Sequence, residues 1–320
     1  MEKRTSTRPM EVVLIANEKG GVGKTTTALC LANCLTALGY RVLIADMDPS
    51  ANLSCAALPQ NPAVSLYDVF DGRITLPEVI VHTEIADIAP SIKDVPNLDD
   101  DFTAPVNSKS LTQIANRWIG VRGAEYMLAA ALRKSKRYNL EDYYDFVILD
   151  SPPSDNILIT NCIVAADAVI VPCDLSASSV NGLQMFLGSI ANANAYYNTN
   201  VSFDGMLQVK YSEETKPERA MAKAIEQLCS DHNIRCYQTK IRDSSNMKDA
   251  MDNCRPILDY VSNGNGATDS MNMTLEFLRI RNMEPLAQYP GVERMPDGTL
   301  HFTYQSKAKR KRSTASEKEV

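Results

Sequence analysis

The sequence predicts an α/β fold: a doubly wound, mostly parallel sheet flanked by helices. Three observations lead there. An apolar run from Val12 to Ala16 enters the glycine-rich stretch Asn17-Glu18-Lys19-Gly20-Gly21-Val22-Gly23-Lys24-Thr25-Thr26, after which Leu29, Leu31, Ala32, Leu35 and Leu38 recur at helical spacing. Two more apolar runs, Arg41 to Ala45 and Phe146 to Leu149, end in carboxylate clusters, Asp46-Met47-Asp48-Pro49 and Asp150-Ser151-Pro152-Pro153-Ser154. Apolar runs also alternate with helical patterns along the chain, and such a sheet gathers its ligand site at strand C-terminal ends.

The first element is strand, glycine loop, helix. Glycines let backbone N–H groups turn inward around a polyphosphate, and a helix N-terminus adds partial positive charge beneath it. Gly20, Gly21, Val22, Gly23, Lys24, Thr25 and Thr26 form this cradle; Lys24 reaches the outer phosphates and Thr25 holds magnesium. Glu18 stands at the first glycine position of the usual G-x-x-x-x-G-K-[ST] spacing, and an additional lysine, Lys19, precedes Lys24 by five residues. The plain alternative, a glycine turn with two solvated lysines, ignores the strand before it and the helix after it.

The later elements follow in order. Asp150, at the end of its strand, faces the phosphate loop, where a carboxylate binds magnesium through water. Asp46 and Asp48 would otherwise be turn or cap residues before Pro49. Further strands are predicted at Ala168 to Pro172, around Gly205 to Val209 and near Arg235 to Lys240, with helices between. Residues from about 91 to 140 form a less regular excursion, with an aspartate-rich loop at Asp94 to Pro105 and a helix at Gly123 to Lys134. Periodicity fades after Leu278, and Lys307 to Arg312 (KAKRKR) is a basic run in a tail expected to be disordered.

Composition bounds the remaining classes. With 320 residues, 44% hydrophobic and 22% charged, the chain can bury a sizeable core. It has no run of roughly 18 apolar residues and no apolar h-region in Met1 to Met10, so a cytoplasmic protein is expected. The eight cysteines form no C-x-x-C pair; Cys30 and Cys34, four apart on the first helix, read as core residues rather than a metal pair. A net charge of −6 excludes whole-molecule attraction to DNA, so any DNA contact needs a local basic surface.

The blocks IANEKGGVGKTTTA, LIADMDPSANLS, VILDSPPS and ADAVIVP resemble, in order over residues 11 to 280, the signatures of ParA/Soj-type partition ATPases. The loop is similar to the deviant Walker A loop of the ParA/MinD superfamily, a P-loop NTPase group. The resemblance implies a slow ATPase using ATP and Mg2+. It makes Asp48 the residue that orients the attacking water, and Asp46 and Asp150 the metal-site carboxylates beside Thr25. It makes Lys19 a catalytic residue alongside Lys24, crossing a dimer interface to the partner's nucleotide. It further implies an ATP-bridged homodimer that binds DNA without sequence preference, associates with the nucleoid and is stimulated by a ParB-like partner. Lys240, Arg242, Lys248 and Arg255 are candidate DNA contacts, with Lys216, Arg219, Lys223 and the basic tail as further cations. Ser50 and Glu18 stand where the family usually has glutamine, and Ile241 to Asp249 matches its DNA-facing region poorly.

Other classes fit less well. A nitrogenase-type reductase needs cluster cysteines, and none lies between Cys55 and Cys162. A MinD-like membrane-surface positioning ATPase, the main alternative, needs an amphipathic C-terminal helix that Ser306 to Val320 lacks, so no membrane partner is expected. A tyrosine-kinase relative would carry a terminal tyrosine cluster, and a non-hydrolysing ATP-binding module would not need Asp48. The organisation expected is a short tail at 1–10, an ATPase domain at 11–282 and an extension at 283–320. About ten residues before the first strand leave no room for a helix-turn-helix, which points to the short, Soj-like class.

Overall fold

The computed structural model describes residues 3–4, 8–93, 109–133, 139–153, 156–212, 215–260 and 264–303, apart from the side chains of 177, 179–181 and 184. The aspartate-rich loop from 94 on, Ser154 and the basic run at 307–312 lie outside them. In chain order the elements are β1 (Glu11–Ile15), α1 (Lys24–Ala37), β2 (Val42–Asp46), α2 (Asn52–Ala57), α3 (Leu66–Phe70), β3 (Val81–His82), β4 (Asp87–Ala89), α4 (Leu111–Trp118), α5 (Met127–Arg133), β5 (Phe146–Asp150), α6 (Ile157–Ala165), β6 (Ala168–Cys173), α7 (Ala177–Tyr197), β7 (Ser202–Gln208), α8 (Lys216–Asp231), α9 (Ser245–Asp252), α10 (Asn265–Ile280), β8 (Val292–Arg294) and β9 (Leu300–Phe302).

A seven-stranded sheet has the order β3-β4-β2-β5-β1-β6-β7 and is parallel except for the edge pair β3-β4. β1 lies between β5 and β6, and its residues alternate strictly between two apolar layers. Val12 and Leu14 pack with Leu158, Leu183, Phe186 and Ile225 of α6, α7 and α8. Val13 and Ile15 pack with Leu31 and Leu35 of α1 and Met271 and Phe277 of α10. Burial on both faces explains why the central strands read as continuous apolar runs. The register Asp46↔Asp150 puts the two strand-end carboxylates side by side.

The predicted strand near Arg235–Lys240 does not form a ladder. That segment bonds β7 through Met206 N–H to Arg235 O and Tyr237 N–H to Met206 O, and again through Ile241 N–H to Gln208 O. Between them, the N–H groups of Gln238 and Thr239 turn to the buried carboxylate of Glu276 on α10, at 2.7 and 2.8 Å. A side chain from the helix layer thus takes the donors that a continuous strand would offer its neighbour. The helix predicted at Gly123–Lys134 begins with a 3-10 turn, Ala124–Tyr126, before α5.

The extension past 283 carries order that the fading periodicity does not signal. Leu286 and Ala287 N–H both bond Leu38 O at 2.9 Å, closing the chain over the end of α1. The antiparallel pair β8-β9 follows, with Phe302 fully buried among the α1/α10 layer. Asn272 of α10 clamps Phe302 through both its N–H and C=O.

Candidate active site

The loop between β1 and α1 is held from several directions. Gly21 and Gly23 have φ of +72° and +94°, the left-handed region that glycine enters without steric cost. Asn17 fixes the entry: its amide donates to Pro172 O at 2.8 Å and its Oδ1 accepts from Lys19 N–H at 2.9 Å. No side chain caps α1, whose N-terminal residue is Lys24, so its first N–H groups remain available to an anion. Gly182 of α7 packs so closely that a Cβ there would meet Asn17 Oδ1 at 2.9 Å.

Five of the predicted residues converge here. The Thr25 hydroxyl donates to Asp150 Oδ2 at 2.7 Å, and the buried Asp150 Oδ1 has no hydrogen-bond partner among the described residues. Asp46, fully buried, accepts from Ser54 Oγ at 2.6 Å, Ser54 N–H at 2.9 Å and Asp48 N–H at 3.2 Å. Asp48 lies on the cavity wall, one of its oxygens accepting from Ser50 N–H at 2.9 Å. Lys24 Nζ donates to Lys19 O at 3.1 Å. These groups line or underlie a cavity of about 800 Å³ whose far wall is built by Val209, Lys210, Arg242, Met247, Lys248 and Met251.

The electrostatics favour an added cation. Burial pushes the Asp46 carboxyl up to about 7, and burial together with the neighbouring Asp46 raises Asp150 well above the carboxylate range. Burial also lowers Lys24 below the usual lysine value, opposed by the charges of Asp150 and Asp48. Two adjacent buried carboxylates stay ionised together only if positive charge joins them. Among the described residues no group of three or more His, Cys, Asp or Glu is arranged to hold a metal alone. The Thr25–Asp150 pair therefore suits a cation that arrives on a polyphosphate and keeps part of its water shell, the habit of magnesium.

The other sequence candidates are distributed differently. Lys19 does not point into the cavity: its ammonium donates to Asp174 Oδ2 at 2.8 Å, Asp174 Oδ1 at 3.0 Å and Ser176 Oγ at 2.8 Å. Thr26 Oγ1 turns to Met251 Sδ at 3.3 Å. Lys240 pairs with Glu226 at 2.8 Å and lies over the Tyr211 ring. Arg242 forms a two-pronged pair with Asp269, at 2.9 and 2.7 Å, and lines the cavity with Lys248; Arg255 sits apart, behind α9. Cys30 and Cys34 lie buried against α10, hydrogen-bonded to Ser270 and Thr274. Asp174, Ser176 and Lys210 were not singled out by sequence reasoning; the available signal was that Asp174 directly follows β6, at the sheet end where Asp46 and Asp150 stand.

Known proteins share this architecture. Residues 10–203 match a family described as "AAA domain". The chain is 30% identical over 259 residues to the chromosome partitioning protein ParA of Caulobacter vibrioides, covering 80% of this chain and 89% of that one. It is 26% identical over 273 residues to the sporulation initiation inhibitor protein Soj of Bacillus subtilis, covering 83% and 97%. Its fold is similar to that of cobyrinic acid a,c-diamide synthase from Mycobacterium smegmatis with bound ATP analog and magnesium: TM-score 0.66 and 24% identity over 88% of this chain and 99% of that one.

Proposed function

The chain belongs to the ParA/Soj-type partition ATPases of the ParA/MinD superfamily, and from that premise we propose that it hydrolyses ATP with magnesium to drive DNA segregation. The observation that carries the magnesium and nucleotide assignment is the buried Oδ1 of Asp150, without a hydrogen-bond partner among the described residues, beside the Thr25 hydroxyl at the mouth of a loop whose helix N-terminus is uncapped. Thr25 would hold the ion directly, and Asp150 and Asp46 would hold its water shell. Bound there, magnesium neutralises charge on the phosphates.

The chain's own groups divide the remaining work. Lys24 exchanges the Lys19 carbonyl for a phosphate oxygen, and the loop N–H groups cradle the rest. Asp48, on the cavity wall and held by Ser50 N–H, orients the attacking water. Lys19 leaves Asp174 to reach the nucleotide of a second copy, giving an ATP-bridged homodimer. The dimer binds DNA without sequence preference and is stimulated by a ParB-like partner; relatives named for chromosome partitioning support this part of the reading. The domain limits 11–282 and 283–320 are likewise proposed, with the β8-β9 pair as a brace folded back on the ATPase core.

The test is phosphate release by the purified full chain with and without magnesium, followed by binding to random-sequence duplex in ATP and in ADP. Magnesium-dependent hydrolysis with ATP-favoured DNA binding is the expected result. Equal DNA affinity in both nucleotides, or none at low salt, would remove the segregation role and leave a membrane-surface ATPase as the better reading.

A further inference from the structure

Lys210 stands where the chain changes partners at the end of β7. Val209 N–H still bonds Cys173 O of β6, while Tyr211 N–H bonds Ile241 O, both at 2.9 Å. Between them Lys210 adopts φ +50°. The left-handed conformation is disfavoured for a non-glycine residue, and asparagine is the usual exception. Asn198, Asn233 and Asn282 fill three of the other five non-glycine positive-φ positions among the described residues, and Ala51 and Cys254 the remaining two; Lys210 is the charged residue of the set.

The turn at Lys210 brings its ammonium to the phosphate loop. Nζ donates to Gly21 O at 2.7 Å, and Val209 Cγ2 lies 3.8 Å from where a Cβ on Gly23 would sit. The residue is exposed on the cavity side and lines the same 800 Å³ space as Lys24, Thr25 and Asp48. Lys24 shows the same arrangement, its ammonium on the carbonyl of Lys19. Two ammonium groups thus rest on carbonyls of one loop, one from each side of the site. A neutral donor would hold the same carbonyl, and this bond uses one of the three donors of an exposed ammonium. Loop support alone leaves the charge unexplained.

We propose that Lys210 is a nucleotide-binding residue that supplies a second ammonium to the polyphosphate, across the loop from Lys24. Arg242, the neighbouring cation on that wall, is neutralised by Asp269, so Lys210 provides charge that Arg242 does not. The inference rests on the nucleotide reading of the site and adds a residue from the far edge of the sheet, which couples β7 to the loop when phosphate binds.

The experiment measures equilibrium binding of ADP and of ATP to the full chain, its Lys210→Gln variant and its Lys210→Arg variant. Glutamine can still donate to the Gly21 carbonyl but carries no charge; arginine carries the charge. Loss of a charge-assisted bond should weaken both nucleotides by roughly tenfold or more in Lys210→Gln, with recovery in Lys210→Arg. Parental affinity in Lys210→Gln, or equal losses in both variants, would overturn the proposal. If the parent itself binds neither ADP nor ATP, the nucleotide reading fails instead.

Discussion

Lys19 Nζ lies 2.8 Å from Oδ2 of Asp174, so the first lysine of the loop is held by a carboxylate of its own chain. Both side chains remain about a quarter exposed, at 28% and 20%, and such a pair contributes only about 0.2–1 kcal/mol. A polyphosphate carries more charge than one carboxylate and can win Lys19 away. Lys19→Ala should therefore bind ATP as a monomer, whereas the parent sediments as an ATP-dependent dimer. Equal dimer fractions in the two proteins would refute a role for Lys19 across an interface.

Asp48→Ala should retain ATP binding and lose turnover. Asp48 shares no hydrogen bond with Thr25, Lys24 or Asp150, which make the loop contacts, so its removal leaves the cradle intact. Losing a positioned general base costs about 10²–10⁴ in rate. Phosphate release measured beside nucleotide affinity separates the two effects; hydrolysis at the parental rate would show that Asp48 does not orient the water.

DNA affinity should fall by about 0.9 log units per log unit of salt for each phosphate neutralised. Lys248 has no ion-pair partner among the described residues, so Lys248→Glu should weaken binding and flatten that slope. Arg242→Glu should also weaken it, but there the new carboxylate faces Asp269, and a fall in melting temperature is expected as well. Deleting residues 306–320 reads the basic tail separately: an unaltered slope would exclude it from the contact.

Phe302→Ala tests whether the extension is part of the fold. The ring is fully buried and packs against Tyr289 with centroids 5.9 Å apart. Truncating a buried phenylalanine costs about 3–5 kcal/mol, which denaturant unfolding should register. A loss near zero would mean that the β8-β9 pair is dispensable to the core.

Tyr40 links stability to alkaline pH. Its hydroxyl donates to Glu284 O at 2.6 Å, and burial pushes its pKa up to about 12 from 10.0. The folded state then holds this proton more tightly than the unfolded state. Its contribution is complete below pH 10 and declines as pH rises from 10 toward about 12. Tyr40→Phe should be less stable near neutrality and should show a shallower loss of melting temperature across that window. An unchanged slope would mean that other groups carry the alkaline transition.

The sequence by itself determined the phosphate loop, the parallel core strands and the carboxylates Asp46, Asp48 and Asp150, because each is written locally. Glycine spacing sets the loop, unbroken apolar runs mark strands buried on both faces, and a strand's last residue must stand at the sheet's C-terminal edge. The two-residue strand β3 and three-residue β4 are too short for periodicity to register, and the β8-β9 pair draws its order from burying Phe302 rather than from alternation. Only the tertiary structure decided that Asp174 would meet Lys19 from 155 residues away, or Lys210 meet Gly21 from 189. It also took the donors of Gln238 and Thr239 from the expected strand and gave them to Glu276, and it neutralised Arg242 with Asp269. Charge pairing depends on which helices the sheet brings together, and no local pattern in the chain encodes that distance.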